Sequence, residues 1–334
     1  AQRLYNRRIA LGTLLVLIVL PSYVELFSAY MGKQLLGEMP AMFFLLAGYV
    51  SVLYFGRCLK LALLMAVVFW AMALSTKLQV LPFWLCSMIV PIWINIRARD
   101  WRVVLFWTIA LLGALLGAHL LPRFWELVLH ARADIADPIS GLYLVTAAVW
   151  SISARMFALI VTVLFGVPTL LGLLYGLWHL HKNSRSLLMP TDQVKVALLC
   201  FVLSWFAWFV FFSVGWIRYI FPAVFIGSIF VAAMMHDFTQ GYDVRYTTQR
   251  LIAFLRGRAF NKESVAALVV VIVILASIPR TVIAFYNTYL LDADNSVEQV
   301  ADFLNSQTRP GTLVETYDSE LFFLLDRYYH YPPD

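Results

Sequence analysis

Charge is what this sequence is short of. Only 13% of its 334 residues are Asp, Glu, Lys or Arg, against 62% hydrophobic residues and a mean hydropathy of +0.80. That balance excludes an ordinary water-soluble globule. Cysteine is scarce as well. Cys58, Cys86 and Cys200 lie in or beside apolar segments with no paired spacing, which excludes a disulfide framework and a zinc knuckle and leaves buried thiols as the expectation. The sequence has no Walker loop, nucleophile elbow, zinc-binding helix or dinucleotide fingerprint. It also lacks internal repeats and the short alternating segments of a membrane β-barrel.

What remains is apolar length. Stretches close to the roughly 20 residues that cross a bilayer as a helix recur almost to the end, and only a helix satisfies its own backbone hydrogen bonds there. Read against the polar breaks, they give spans near 9–30, 40–55, 59–75, 80–96, 103–121, 145–180, 194–214, 218–236 and 264–286. The expected fold class is an all-α membrane protein, a polytopic bundle of about nine transmembrane helices. A transmembrane region over 1–290 would be followed by a short α/β tail over 291–334.

The net charge of +6 does not point to nucleic acid, because the basic residues fall in short clusters between apolar runs. These clusters report topology. Alternate gaps hold Arg3, Arg7 and Arg8; Arg57 and Lys60; Arg97, Arg99 and Arg102; Lys182 and Arg185; and Arg245, Arg250, Arg256, Arg258 and Lys262. The other gaps hold only Lys33, Lys77, Arg123 with Arg132, and Arg218. By the positive-inside rule the amino end is cytoplasmic and the tail extracytoplasmic, as expected of an integral protein of a bacterial plasma membrane. Residues 236–263, with Tyr246, Leu251, Phe254 and Leu255 among arginines, suit an amphipathic helix on an anionic leaflet. Residues 122–144 suit another interfacial helix on the opposite side. In the tail, Ser296 with Gln299 signals a helix start, Arg309-Pro310-Gly311 a turn, Thr312 to Thr316 a strand and Glu320 to Leu325 a second helix.

Charges at the outer boundary are few, so each is a candidate for function as well as for anchoring. Glu38, in Leu36-Gly37-Glu38-Met39-Pro40, suits two roles: a carboxylate at a helix amino end, or a group that orients a sugar hydroxyl or a metal. Lys77, in Ser75-Thr76-Lys77, is either a snorkelling lysine or a phosphate ligand beside hydroxyl donors. Arg218 and Tyr219, ahead of Pro222 at a helix start, suit bidentate phosphate contact. Arg280 reads as an interfacial anchor. Glu315, Asp318, Glu320 and His330 in the tail are either solvated or an acceptor or metal site, while His119, His130, Asp134 and Asp137 lack ligand spacing.

In order along the chain, Gly37-Glu38-Met39-Pro40, Ser75-Thr76-Lys77, Arg218-Tyr219 with Pro222, and the tail segments Glu315-Thr316-Tyr317-Asp318-Ser319-Glu320 and Tyr329-His330-Tyr331-Pro332-Pro333 resemble the GT-C superfamily of membrane glycosyltransferases. The branch is that of protein O-mannosyltransferases and the aminoarabinose transferase of lipid A. The resemblance implies transfer of a sugar from a polyprenyl-phosphate donor to a lipid, glycan or protein acceptor on the outer face. Lys77 and Arg218, with Tyr219, would hold the donor phosphate, and Glu38 would be a second acidic residue. Glu315, Glu320 and His330 would stand on the acceptor side. No cofactor is implied with certainty, and a divalent metal stays open. The family places its catalytic carboxylate in a first outer loop and carries the Glu38 motif after its third span, so two spans and that loop are expected to precede this sequence. A noncatalytic subunit of a larger membrane complex is the alternative, associating with other membrane subunits. A transporter is disfavoured by the scarcity of mid-span charge.

Overall fold

The computed structural model describes residues 1–20, 37–54, 58–129, 151–182, 188–257, 261–291, 296–309, 311–316 and 321–330. They form two compact units, 1–282 and 283–334.

The first unit is a bundle of helices. Asn6 caps α1 (Arg7–Val19) by accepting from the Ile9 N–H at 2.8 Å. Next come α2 (Glu38–Val52) and α3 (Leu59–Thr76), then a single 3-10 turn (Leu78–Val80) leading into α4 (Leu81–Ala98). Helix α5 (Trp101–Leu129) follows. Helices α6 (Ile152–Val161) and α7 (Val167–Lys182) are joined by a π-helical turn over Thr162–Gly166. After α8 (Pro190–Phe211), a 3-10 turn (Ile217–Ile220) opens α9 (Phe221–Phe238). The bundle continues through α10 (Val244–Leu255) to α11 (Lys262–Tyr289). Prolines in the first turn of α4, α8 and α9 start these helices where the missing N–H costs nothing.

Seven helical stretches among the described residues are long and apolar enough to cross a membrane, and the chain is a membrane protein. Of the nine stretches read from the sequence, the other two correspond to α1, described over 13 residues, and α2, of 15 residues. Two further readings need correction. The region after 121 is no separate interfacial helix at its start, because α5 runs unbroken through Pro122 to Leu129; inside an apolar helix one lost backbone bond is tolerated. Residues 130–144 of that expected segment lie outside the described residues. The thiols of Cys58 and Cys86 are exposed, not buried, and Cys200 is intermediate. On an apolar span an outward cysteine meets lipid and costs little.

Helix pairing follows from small residues that let backbones approach. A Cβ on Gly48 would stand 2.3 Å from Nε1 of Trp70, and one on Gly37 3.0 Å from the Thr76 carbonyl oxygen, so α2 lies antiparallel to α3. Gly113 meets Val67 and Gly117 meets Ala71, setting α5 parallel to α3. Gly172 abuts the backbone of Val231 while Gly227 faces Thr169, which packs α7 parallel to α9. Between these pairs the indoles of Trp70, Trp84 and Trp107 are fully buried, Trp70 stacked on Trp107 at 6.0 Å. Outward, Leu105, Ile109, Leu112 and Leu116 make an exposed stripe on α5 at helical spacing, as a lipid-facing surface requires.

One buried polar network ties α4, α5 and α8. Trp107 Nε1 donates to Gln193 Oε1 at 3.1 Å, Gln193 Nε2 donates to Asn95 Oδ1 at 3.1 Å, and Asn95 Nδ2 donates to the Pro91 carbonyl at 2.7 Å. The last bond runs one turn back along α4 to the carbonyl of its internal proline. This network marks the basic end of the bundle. The Lys195 ammonium lies 4.6 Å from the Tyr5 ring centroid, Gly241 sits beside Arg8, and Arg97 stacks on Trp93 at 3.9 Å. The opposite end gathers the start of α2, the end of α3 and the start of α4.

The second unit holds α12 (Ser296–Gln307), β1 (Leu313–Glu315), α13 (Leu321–Leu324) and β2 (Tyr328–His330). Its strands pair in parallel, Leu313 with Tyr328, Val314 with Tyr329 and Glu315 with His330. The second strand falls where the sequence suggested only an aromatic end. Arg327 donates to the carbonyls of Asn305 and Thr308, and Asn305 accepts from the Asp326 N–H at 2.8 Å, so one arginine and one amide close the unit.

If the α7–α9 contact sets the spacing of the bundle, Gly172→Leu should lower unfolding free energy in detergent by about 1–3 kcal/mol. Ile109→Leu, on the exposed stripe of α5, is the control. Equal midpoints in a denaturant titration of the two variants would refute the close contact.

Candidate functional site

The end of the bundle opposite the basic one is built from chain reversals. Gly37 adopts φ +79°, which only glycine takes without strain, and this lets the chain turn against Thr76 and start α2 at Glu38. Pro40 falls in the first helical turn. The reversal places the Glu38 carboxylate at the amino end of α2, and there it meets the Lys77 ammonium at 2.6 Å. Glu38 is 5% exposed and Lys77 22%. The second carboxylate oxygen of Glu38 is shielded from solvent with no donor among the described residues, and so is Nε2 of Gln79, with no acceptor. Beside Lys77, a hollow of about 310 Å³ opens between Met72, Ser75 and Thr76 of α3 and Leu121 and Pro122 of α5. Ser75 Oγ donates across it to the Ala118 carbonyl at 3.4 Å.

The second cationic centre lies between α8 and α9. Arg218 stands on the 3-10 turn with its guanidinium 4.8 Å from the Trp216 ring centroid and 5.3 Å from that of Tyr219. Its Nε is buried and lacks an acceptor among the described residues. The Tyr219 carbonyl accepts from Trp205 Nε1 at 2.7 Å, and its ring packs on Trp208. Gly215, at φ +85°, brings the turn against the backbone of Ala158. A guanidinium beside two aromatic rings keeps its net charge, and its fork of N–H donors suits a planar or tetrahedral anion.

Sequence reasoning passed over Arg155. This residue of α6 donates through Nη1 to the Val210 carbonyl at 2.7 Å and through Nη2 to the Ser213 carbonyl. It thereby holds the carboxyl end of α8 and the turn that carries Arg218, a favourable place for a cation. An arginine in the first turn of a 31-residue apolar helix was the signal available. Arg280 is more than an anchor: it donates to the Leu164 carbonyl at 3.2 Å, within the π-helical turn.

The structure therefore brings Glu38 to Lys77, and Arg218 to Tyr219. Aromatic rings join the start of α4 to the Arg218 centre: Phe83 packs on Trp205 at 4.3 Å and Trp208 at 5.6 Å, and Trp208 packs on Tyr219. In the second unit, the strand register sets Glu315 opposite His330. Glu320 and Asp318 lie outside the described residues, as do His130, Asp134 and Asp137. Among the described residues no three of His, Cys, Asp and Glu gather in the manner of a metal site. Comparison with known protein families, curated proteins and solved structures found no match for this chain.

The ion pair has a measurable consequence. Lys77→Met leaves the buried Glu38 carboxylate without its cation, so it should cost more stability than the double variant Glu38→Gln/Lys77→Met, with a coupling of about 1–3 kcal/mol. Unfolding titrations of the single and double variants measure it, and a coupling near zero would reduce the pair to an incidental surface contact.

Proposed function

We propose that this chain is the membrane core of a GT-C-type glycosyltransferase. It would transfer a sugar from a polyprenyl-phosphate donor to a lipid, glycan or protein acceptor at the end of the bundle opposite the basic one. In this reading the bundle has about nine spans, α1 and α2 completing the count, with the basic end in the cytoplasm and the tail outside a bacterial plasma membrane. The observation that carries it is the meeting of Glu38 with Lys77. Two segments 39 positions apart, each singled out from the sequence as a piece of one outer-face motif, close on each other at one end of the bundle.

The chemistry follows from charge. An acceptor hydroxyl oxygen forms a bond to the anomeric carbon while the bond from that carbon to the phosphate oxygen breaks. The hydroxyl proton passes to a base and the lipid phosphate leaves with one more negative charge. A cation held in place before the reaction stabilises that charge without reorganising. Arg218 fits this part, because its stacking partners fix the guanidinium and no described carboxylate neutralises it. Lys77 already shares its charge with Glu38, so it contributes orientation and a hydrogen-bond donor more than net charge.

That same neutralisation favours a second reading, in which the pair is a staple between α2 and α3 in a noncatalytic subunit of a larger complex. Binding of a short-chain polyprenyl-phosphate sugar by the protein in nanodiscs separates the two. The enzyme reading expects Arg218→Ala to weaken binding roughly 10- to 100-fold, the worth of one charge-assisted contact, and Arg123→Ala to leave it unchanged. Native mass spectrometry reads the bound fraction. No binding by the parent protein, or equal binding by Arg218→Ala, would refute the donor site and leave the subunit reading.

A further inference from the structure

Helix α10 sits between two spans at the basic end, yet none of its residues is buried. Both ends are fixed. At its start the Asp243 side chain accepts from the Tyr246 N–H at 3.0 Å, and the preceding turn takes positive φ at Gln240, Gly241 and Tyr242. Tyr242 reaches back to donate to the Ala232 carbonyl of α9 at 2.8 Å. Farther along, Arg250 forms an ion pair with Glu263 in the first turn of α11. The helix is thus held at the level where the spans end.

Its large aliphatic side chains gather on one side. Val244, Leu251, Ile252 and Leu255, at spacings of 7, 8 and 11, fall on one arc. Val244 is 78%, Ile252 41% and Leu255 71% exposed, so the described residues leave most of that arc uncovered. Arg245 and Arg256, eleven residues apart, share one border of it, and both are exposed. Arg250, on the other border, is matched by Glu263, whereas no described carboxylate pairs with Arg245 or Arg256.

We propose that α10 is an interfacial helix that docks on anionic lipid. Its apolar arc enters the boundary between headgroups and acyl chains, and Arg245 and Arg256 bind lipid phosphates. The occupant is the bilayer because the exposed arc lies on a helix held between two spans where they end, and its bordering charge is positive. The proposal does not depend on the glycosyltransferase reading.

Amide hydrogen exchange over residues 244–255 tests it, with the full chain in nanodiscs of phosphatidylcholine alone or mixed with phosphatidylglycerol. Each arginine near an anionic surface is worth roughly fivefold, so exchange should slow up to roughly 30-fold in the anionic bilayer. The variant Arg245→Gln/Arg256→Gln should return it to the neutral-bilayer rate with exchange in α9 unchanged. Leu255→Glu should abolish protection in both bilayers. Equal protection in the two lipid compositions would overturn the proposal, and so would protection that rises with protein concentration, which would assign the arc to a second copy of the chain.

Discussion

Hydrocarbon offers no hydrogen bonds, and that one constraint shapes this molecule from its sequence upward. Each backbone group inside the membrane must find a partner within the protein, which a helix does for all but its ends. The burden therefore falls on helix ends and on the few polar side chains between them. Arg155 takes carbonyls at the end of α8, Arg280 takes one released by the π-helical turn, and Thr281 Oγ1 donates to the Val19 carbonyl at 2.8 Å near the end of α1. Farther in, Thr13, Ser51, Thr162 and Thr239 return their hydroxyl protons to carbonyls one turn back.

The same constraint decides what drives packing. Lipid is as apolar as leucine, so burying a leucine between helices gains little, and close backbone approach matters more. Gly48 supplies it between α2 and α3, and Gly172 with Gly227 between α7 and α9. The polar network of Asn95, Gln193 and Trp107 supplies direction: a shift of α8 by one residue against α4 would strand two amides in a site shielded from solvent. Packing by small residues and register by amides together fix which charged residues can meet at the far end.

Much of this was legible in the sequence because length and charge alternation are properties of the chain alone. The spans of α3 to α9 and α11 appear where apolar runs predicted them, and Gly37 and Pro40 announced the turn into α2. Helix pairing was not legible, since nothing local in Glu38 or Lys77 states that α2 and α3 are antiparallel neighbours. Arg155 was missed for the same reason. Its partners are carbonyls 55 and 58 positions away, and carbonyls carry no signature in a sequence. The run from 103 to 129 misled because Pro122 and the charges after it imitate a helix end, while a membrane helix can continue through a proline. Exposure of Cys58 and Cys86 was misread because a cysteine in an apolar segment is expected inside, a rule drawn from proteins whose exterior is water.

The two ends of the bundle differ in how they treat charge, and this difference bears on recognition. At the basic end arginines outnumber carboxylates, so the field is diffuse and suits a lipid surface. At the opposite end the cations are few and each is individually placed: Lys77 against a buried carboxylate, Arg155 against carbonyl dipoles, Arg218 against aromatic faces. These partners are not equivalent. A carboxylate cancels a positive charge and reduces its attraction for an incoming anion. Carbonyls and ring faces lower the cost of holding the cation out of water while leaving its net charge intact. On the proposed reading, a dianionic phosphate would therefore find its strongest attraction at Arg218, and the nearly neutral Glu38–Lys77 pair would suit hydroxyl groups.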